Sequence, residues 1–231
     1  MPSLLAAQGK MRLLNELINK DESGWDLVQE WVTAAENKVE ILSADPVQAA
    51  DALYNIQVTT KSPMGAMVYN SGGMLVDGGW IRILGSGNSK LNRSLPGWNK
   101  SKNLGDVLRF LLIADDVVGG FFILNGGGLG SDIGKVYYLA PNTLQYEPLD
   151  LSYSEFLHFC FNGDLDSFYD GLRWKNWKSD LEQLPGDSVY SFYPYLWSQE
   201  GKDINILSRT IVPVEEQYDL ILDLRKQLKL N

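Results

Sequence analysis

The 231-residue sequence contains one histidine and one cysteine. With a single imidazole, any Ser-His-Asp or Cys-His arrangement would rest on His158, and a structural zinc site, which usually takes four Cys or His ligands, lacks its donors. Cys160 has no partner for an intrachain disulfide, which suits a reducing cytoplasm. Long apolar runs are also missing: Phe110 to Ala114 falls far short of the roughly 20 residues a membrane-spanning helix needs. No basic n-region precedes Leu4 to Ala7, and Lys10 and Arg12 interrupt any signal-like core, so no export is expected. Positive charge is scarce, with 20 Lys and Arg against 29 Asp and Glu, a net of −9. Such a chain is repelled by phosphate backbones and anionic lipid, which disfavours nucleic-acid and membrane partners. The expected location is the cytoplasm.

What is present reads as a globular α+β protein. The chain is 45% hydrophobic and 21% charged, a composition that builds a core. A single domain is expected over 1–231, helical over 11–58, sheet over 62–147 and mostly helical over 152–231. Leu14, Leu17 and Ile18 share one helical face. Ser23 and Asp26 form a start signal ahead of Val28, Trp31, Val32 and Ala35, and Asp45 with Pro46 opens a third helix with Ala50, Leu53 and Tyr54 inward.

From Ser62 the period shortens. Ala66 to Tyr69, Met74 to Val76 and Trp80 to Leu84 read as strands of a β-meander, with turns at Ser71-Gly72-Gly73 and Asp77-Gly78-Gly79. After a long polar loop, Val107 to Ile113, Gly120 to Leu124 and Lys135 to Leu139 read as three more strands. Pairing is expected to be mostly antiparallel, because the connections are too short for parallel crossovers. Ser152 and Glu155 form a capping box before the stripe Tyr153, Phe156, Leu157, Cys160 and Phe161. Asp164 is placed to cap the next helix, and residues 174–184 read as a shorter one. Ser191 to Trp197 is an aromatic run of open type, and Val214 to Leu228 is a last helix with Val214, Tyr218, Ile221, Leu222 and Leu228 inward.

No catalytic signature emerges from the residues. His158 lies off the apolar stripe, one turn from Glu155, as a surface side chain would. Cys160 lies on the stripe as a small core residue. The cluster Asn125 to Asp132 fails both phosphate-loop spacings and reads as a turn or loop. Asp115, Asp116 and Asp132 lack the spacing of a calcium loop and read as a solvated turn, so no metal and no cofactor are expected.

Charge and aromatics are unevenly spread. Residues 80–110 hold six basic groups against Asp106, and residues 141–187 hold nine acids against Arg173, Lys175 and Lys178, giving +5 and −6. The two stretches either pair with each other or leave an acidic face for a basic partner. Of the 26 aromatics, 16 fall between Tyr137 and Trp197, as core or as the Tyr and Trp of an interface.

Ser62 to Tyr69 (SPMGAMVY), Gly79 to Gly87 (GWIRILGSG), Ala114 to Gly127 (ADDVVGGFFILNGG) and Gly171 to Trp174 (GLRW) carry a resemblance. With Glu200 to Asp203 they make nearly the whole chain resemble a bacterial domain-of-unknown-function family, one that brings no activity with it. Over about a third of the chain, the order of elements is also similar to the SUKH superfamily. That order is a strand ending in Ala114-Asp115-Asp116, a Gly-Gly turn, an apolar strand, a Gly-rich turn, a Val-Tyr-Tyr strand and the helix at Tyr153. This resemblance implies an α+β fold and the role of many bacterial members, immunity proteins that bind toxins.

The expectation is therefore a non-catalytic protein-binding module. Asp164, Asp166, Asp170, Trp174, Trp177, Tyr193, Tyr195 and Trp197 would form an acidic aromatic face for a basic, toxin-like protein. The alternatives are an enzyme working with carboxylates alone, such as a glycan hydrolase using two of Asp77, Asp115, Asp116 and Asp132, or a scaffold without a ligand of its own.

Overall fold

The computed structural model describes residues 11–101 and 109–230. Its centre is a seven-stranded sheet in sequential order, every neighbouring pair antiparallel. The strands are β1 (Val39–Ser43), β2 (Ser71–Val76), β3 (Ile81–Leu84), β4 (Phe110–Asp116), β5 (Phe121–Asn125), β6 (Lys135–Leu139) and β7 (Tyr146–Ser152). A separate antiparallel hairpin pairs β8 (Ser188–Tyr193) with β9 (Ser208–Pro213). The helices among the described residues are α1 (Leu14–Leu17), α2 (Gly24–Thr33), α3 (Pro46–Ile56), α4 (Pro63–Asn70), α5 (Leu95–Ser101), α6 (Tyr153–Asn162), α7 (Leu165–Phe168), α8 (Trp177–Leu181) and α9 (Val214–Gln227). The fold is α+β, with helices on both chain flanks of the sheet.

Adjacent residues on a strand point to opposite faces, and Phe121 and Phe122 mark the two sides of the sheet. Phe122 packs on Phe156 of α6 at 4.9 Å between ring centroids, and Phe121 packs on Tyr218 of α9 at 4.9 Å. The sheet is thus buried on both faces, and one contiguous apolar cluster runs from Val28 to Ile221. Such two-sided burial explains why β5 reads as a continuous apolar run instead of an alternating one.

The caps at Ser23, Asp45, Ser152 and Asp164 form as the sequence predicts. Each side chain accepts a backbone N–H of the helix it opens. Several other expectations are corrected. Ala66 to Tyr69 is not a strand but part of α4: Ser62 caps it by accepting the Gly65 N–H at 3.1 Å, and Pro63 occupies the first turn. Buried from Met64 through Val68, α4 has no polar stripe to reveal a helical period. Ser71-Gly72-Gly73 is not a turn but the start of β2. A Cβ on Gly72 would lie 2.7 Å from the Gly87 carbonyl oxygen and 2.8 Å from that of Ser43, so glycine serves close backbone approach there.

β1 lies inside the stretch expected to be helical, α1 spans a single turn, and α5 lies in the expected polar loop. β7 and β9 were not anticipated either. β7 contains Pro148, which an edge strand tolerates because its missing N–H faces no partner. The inward face of α3 is Ala49, Ala52 and Leu53, leaving Tyr54 38% exposed, and Leu228 follows the end of α9 at 46% exposure. Residues 107 and 108 of the expected fourth strand lie outside the described residues, as do Lys102 and Asp106 of the basic stretch.

Candidate functional site

Asp115 and Asp116 end β4 and point to opposite faces of the sheet. Neither forms the solvated turn expected: both are fully buried, Asp115 at 1% and Asp116 at 0% exposure. Asp115 lies opposite Arg82 in the β3–β4 register and accepts its Nε at 2.6 Å and its Nη2 at 2.5 Å. Its second oxygen accepts Arg93, whose Nε donates to Asp187 at 2.9 Å. Arg82 also donates to the Ser188 carbonyl, and Arg93 to the Gly186 carbonyl at 3.1 Å. Two arginines and two carboxylates thus neutralise one another while tying the start of the hairpin to the sheet. Burial lowers the Arg82 pKa against the pull of Asp115. It opposes the Arg93 charge as well, but Asp115 and Asp187 outweigh it and raise that pKa. The Arg93–Asp187 pair joins the basic and acidic stretches of the sequence, so internal pairing accounts for part of both.

On the other face, Asp116 accepts four donors: Tyr138 Oη at 2.7 Å, Tyr169 Oη at 3.1 Å, and the amides of Val118 at 3.1 Å and Gly120 at 2.8 Å. Burial raises the carboxyl pKa despite these donors, with Tyr138 the strongest opposing contact. A carboxyl whose folded pKa lies above its unfolded value holds more protons when folded. Stability from this group is therefore full below about pH 4 and is lost as pH rises through the folded pKa. Asp116→Asn keeps the shape and removes the titration. It is expected to stay within about 1.5 kcal/mol of the parent at pH 7 and to gain on it from pH 4 upward, as read from urea midpoints at each pH.

The other carboxylates of the enzymatic alternative are also engaged. Asp77 accepts Arg173 at 2.6 Å, and Asp132 accepts Tyr137 Oη at 2.7 Å and Asn125 Nδ2 at 2.9 Å. The bond to Asp132 pushes the Tyr137 phenol up to about 12. A cavity of about 380 Å³ lies between Arg93, Trp98, Asp187 and the start of α9, and none of these four Asp residues lines it. Among the described residues, no group of three or more His, Cys, Asp or Glu could hold a metal ion. No helix among them is long and apolar enough to cross a membrane. Cys160 is buried, and His158 is exposed with its ring 4.2 Å from Trp31.

The eight residues expected to form a partner face divide into three groups. Trp174 and Trp177 are buried and present no face to a partner. Trp174 packs on Trp80, Tyr190 and Phe192, and its Nε1 donates to Asp180 at 2.6 Å. Trp177 packs on Trp80 at 4.9 Å and shares Arg173 with it, the guanidinium carbon lying 4.4 Å from Trp177 and 4.9 Å from Trp80. The acids are exposed: Asp164 caps α7, Asp166 pairs with Arg173, and Asp170 has no side-chain partner among the described residues.

Tyr193, Tyr195 and Trp197 form the third group, a ladder leaving the end of β8. Tyr193 is 71% exposed and meets Tyr195 edge-on at 6.3 Å, and Tyr195 stacks on Trp197 at 5.7 Å with 12° between the rings. Tyr195 and Trp197 also line a shallow recess with Gln217, Leu220 and Leu224 of α9. Glu216, Asp219 and Asp223 are exposed on that helix, each next in sequence to a recess residue, so the helix that meets the ladder also carries acids that sequence reasoning missed. The signal was the acidic spacing along α9, which only the packing of the hairpin on that helix brings to the aromatics.

Comparison with known proteins gives relatives along nearly the full length. The chain is 47% identical over 212 residues to "Putative uncharacterized protein YbfG" of Escherichia coli, covering 91% of this chain and 97% of that protein. It is 42% identical over 211 residues to an "Uncharacterized protein" of Haemophilus influenzae, covering 90% and 92% respectively. No solved structure matches. Residues 14–217 match the family model described as "Protein of unknown function DUF2625", and the chain belongs to that family.

Proposed function

We propose that the protein is a non-catalytic binding module of the cytoplasm that, in the manner of SUKH-type immunity proteins, holds a basic protein partner. The observation that carries this reading is the Tyr193, Tyr195 and Trp197 ladder, exposed at Tyr193 and half-buried at Tyr195 and Trp197, against a helix, α9, that carries exposed acids. Tyr and Trp in such a setting supply binding energy because they bury large area at low entropic cost. The acids, including Asp164, Asp166 and Asp170, supply a field that speeds encounter with a positive partner without having to touch it. Engagement of Asp77, Asp115, Asp116 and Asp132 by internal donors favours binding over carboxylate catalysis.

The test is affinity capture from the host lysate at low and moderate salt, with the parent protein and two variants. Asp164 caps a helix and Asp166 holds Arg173, so reversing them would disturb the fold. Asp170→Lys with Glu182→Lys changes exposed acids that have no described ion pair. This variant is expected to lose capture of a basic partner several-fold at low salt and less at higher salt, because screening already weakens the field there. Tyr193→Ala is expected to weaken capture at both. Unchanged capture by both variants would sink the reading.

A further inference from the structure

We infer that the aromatic ladder takes arginine, in preference to lysine, from its partner; this rests on the reading of that face as the site for a basic protein. The chain's own cations lean that way: among the described residues four arginines lie over aromatic rings, against one lysine, Lys178, whose Nζ is 5.2 Å from the Trp177 ring. Arg173 lies over Trp80 and Trp177, Arg209 lies 5.0 Å from the Trp174 ring, Arg93 5.1 Å from Trp98, and Arg225 4.3 Å from Tyr146. A guanidinium is planar and weakly hydrated, so it lies flat on a ring while its edge serves carboxylates, as Arg173 does with Asp77 and Asp166 and Arg209 with Asp180.

The ladder repeats the aromatic half of this arrangement without the cation. Among the described residues, no Arg or Lys lies over Tyr193, Tyr195 or Trp197. The acidic half is nearby: Glu216 and Asp223 lie four residues before and three after Leu220, which lines the recess with Tyr195 and Trp197. Both are exposed and have no ion pair among the described residues. Among the described residues the Trp197 Nε1 is enclosed and finds no partner, so the indole offers a partner its carbon surface and not its donor. That suits a guanidinium better than a sugar hydroxyl seeking an N–H. An ammonium, compact and strongly hydrated, gains less from the same rings.

Two labelled octapeptides of equal charge, Gly and Ser with two arginines or with two lysines, would be titrated against the full-length protein at low salt. The arginine peptide is expected to bind about fivefold more tightly, the scale of a cation-aromatic contact at an exposed site. Tyr193→Ala and Trp197→Leu are expected to remove that preference, and Glu216→Gln with Asp223→Asn to weaken both peptides. Tyr193 is exposed enough that its replacement leaves the fold intact. Equal binding of the two peptides, or binding of neither, would overturn the arginine assignment. The broader reading is judged separately, by salt-sensitive capture of a protein partner.

Discussion

Asp115→Asn is expected to destabilise the protein by about 3–5 kcal/mol, the cost of leaving a buried charge without its counterion. Asp115 faces the buried Arg82 and the largely buried Arg93; among the described residues its loss leaves Arg82 with no side-chain carboxylate bonded to it and Arg93 with Asp187 alone. The cost belongs to the broken balance more than to the pair itself. Arg82→Met combined with Asp115→Leu leaves the balanced Arg93–Asp187 pair and fills the space with apolar volume. The double variant is expected to recover a large part of the loss, a non-additivity that urea unfolding of all three variants measures. A double variant no better than Asp115→Asn would mean that the bonds to the Ser188 and Asp116 carbonyls, not charge balance, hold this region together.

Trp80→Ala is expected to cost a comparable amount, about 3–5 kcal/mol, through the cavity left by a large side chain that is 0% exposed. Trp80 touches Tyr169, Trp174 and Trp177 and carries the Arg173 guanidinium on its face, so its loss also loosens the Asp77 and Asp166 contacts made through that arginine. Its indole Nε1 is buried without a partner among the described residues, so Trp80→Phe surrenders ring area but no hydrogen bond seen there and is expected to cost less than half as much. Equal losses for Phe and Ala would place the importance of the site in the indole's second ring instead of in filled volume.

The parts of the fold legible in the sequence were those with local signatures. Caps at Ser23, Asp45 and Ser152 are short-range hydrogen bonds, and the glycines at 78 and 79 take positive φ. Ser62-Pro63 carries the same signature as Asp45-Pro46 and would have revealed α4, had the apolar run after it not matched a buried strand equally well. β7 and β9 were hidden because Pro148 and the scattered polar residues of 208–213 satisfy no period; their partners in the chain define them. The candidate site was legible as composition but not as surface. Nothing local distinguishes Trp174, packed under the hairpin, from Trp197, half-buried in the connection between its strands. Asp115 and Asp116 read as a turn because two adjacent acids seldom sit inside a core. The clue was Arg82, a lone cation inside the apolar run Ile81 to Leu84.

The hairpin has a further consequence through the way it is attached. β8 and β9 belong to no ladder of the central sheet. They are held to it by the Tyr190 amide donating to the Val117 carbonyl at 2.8 Å, by the arginine bonds at Gly186, Asp187 and Ser188, and by packing on α9 and Trp174. A unit joined mainly through side chains can detach while the sheet stays whole. In native-state amide exchange, the amides of 189–193 and 208–212 should form one group that opens at lower free energy than those of β4 to β6. The aromatic ladder would move with that group as a single lever.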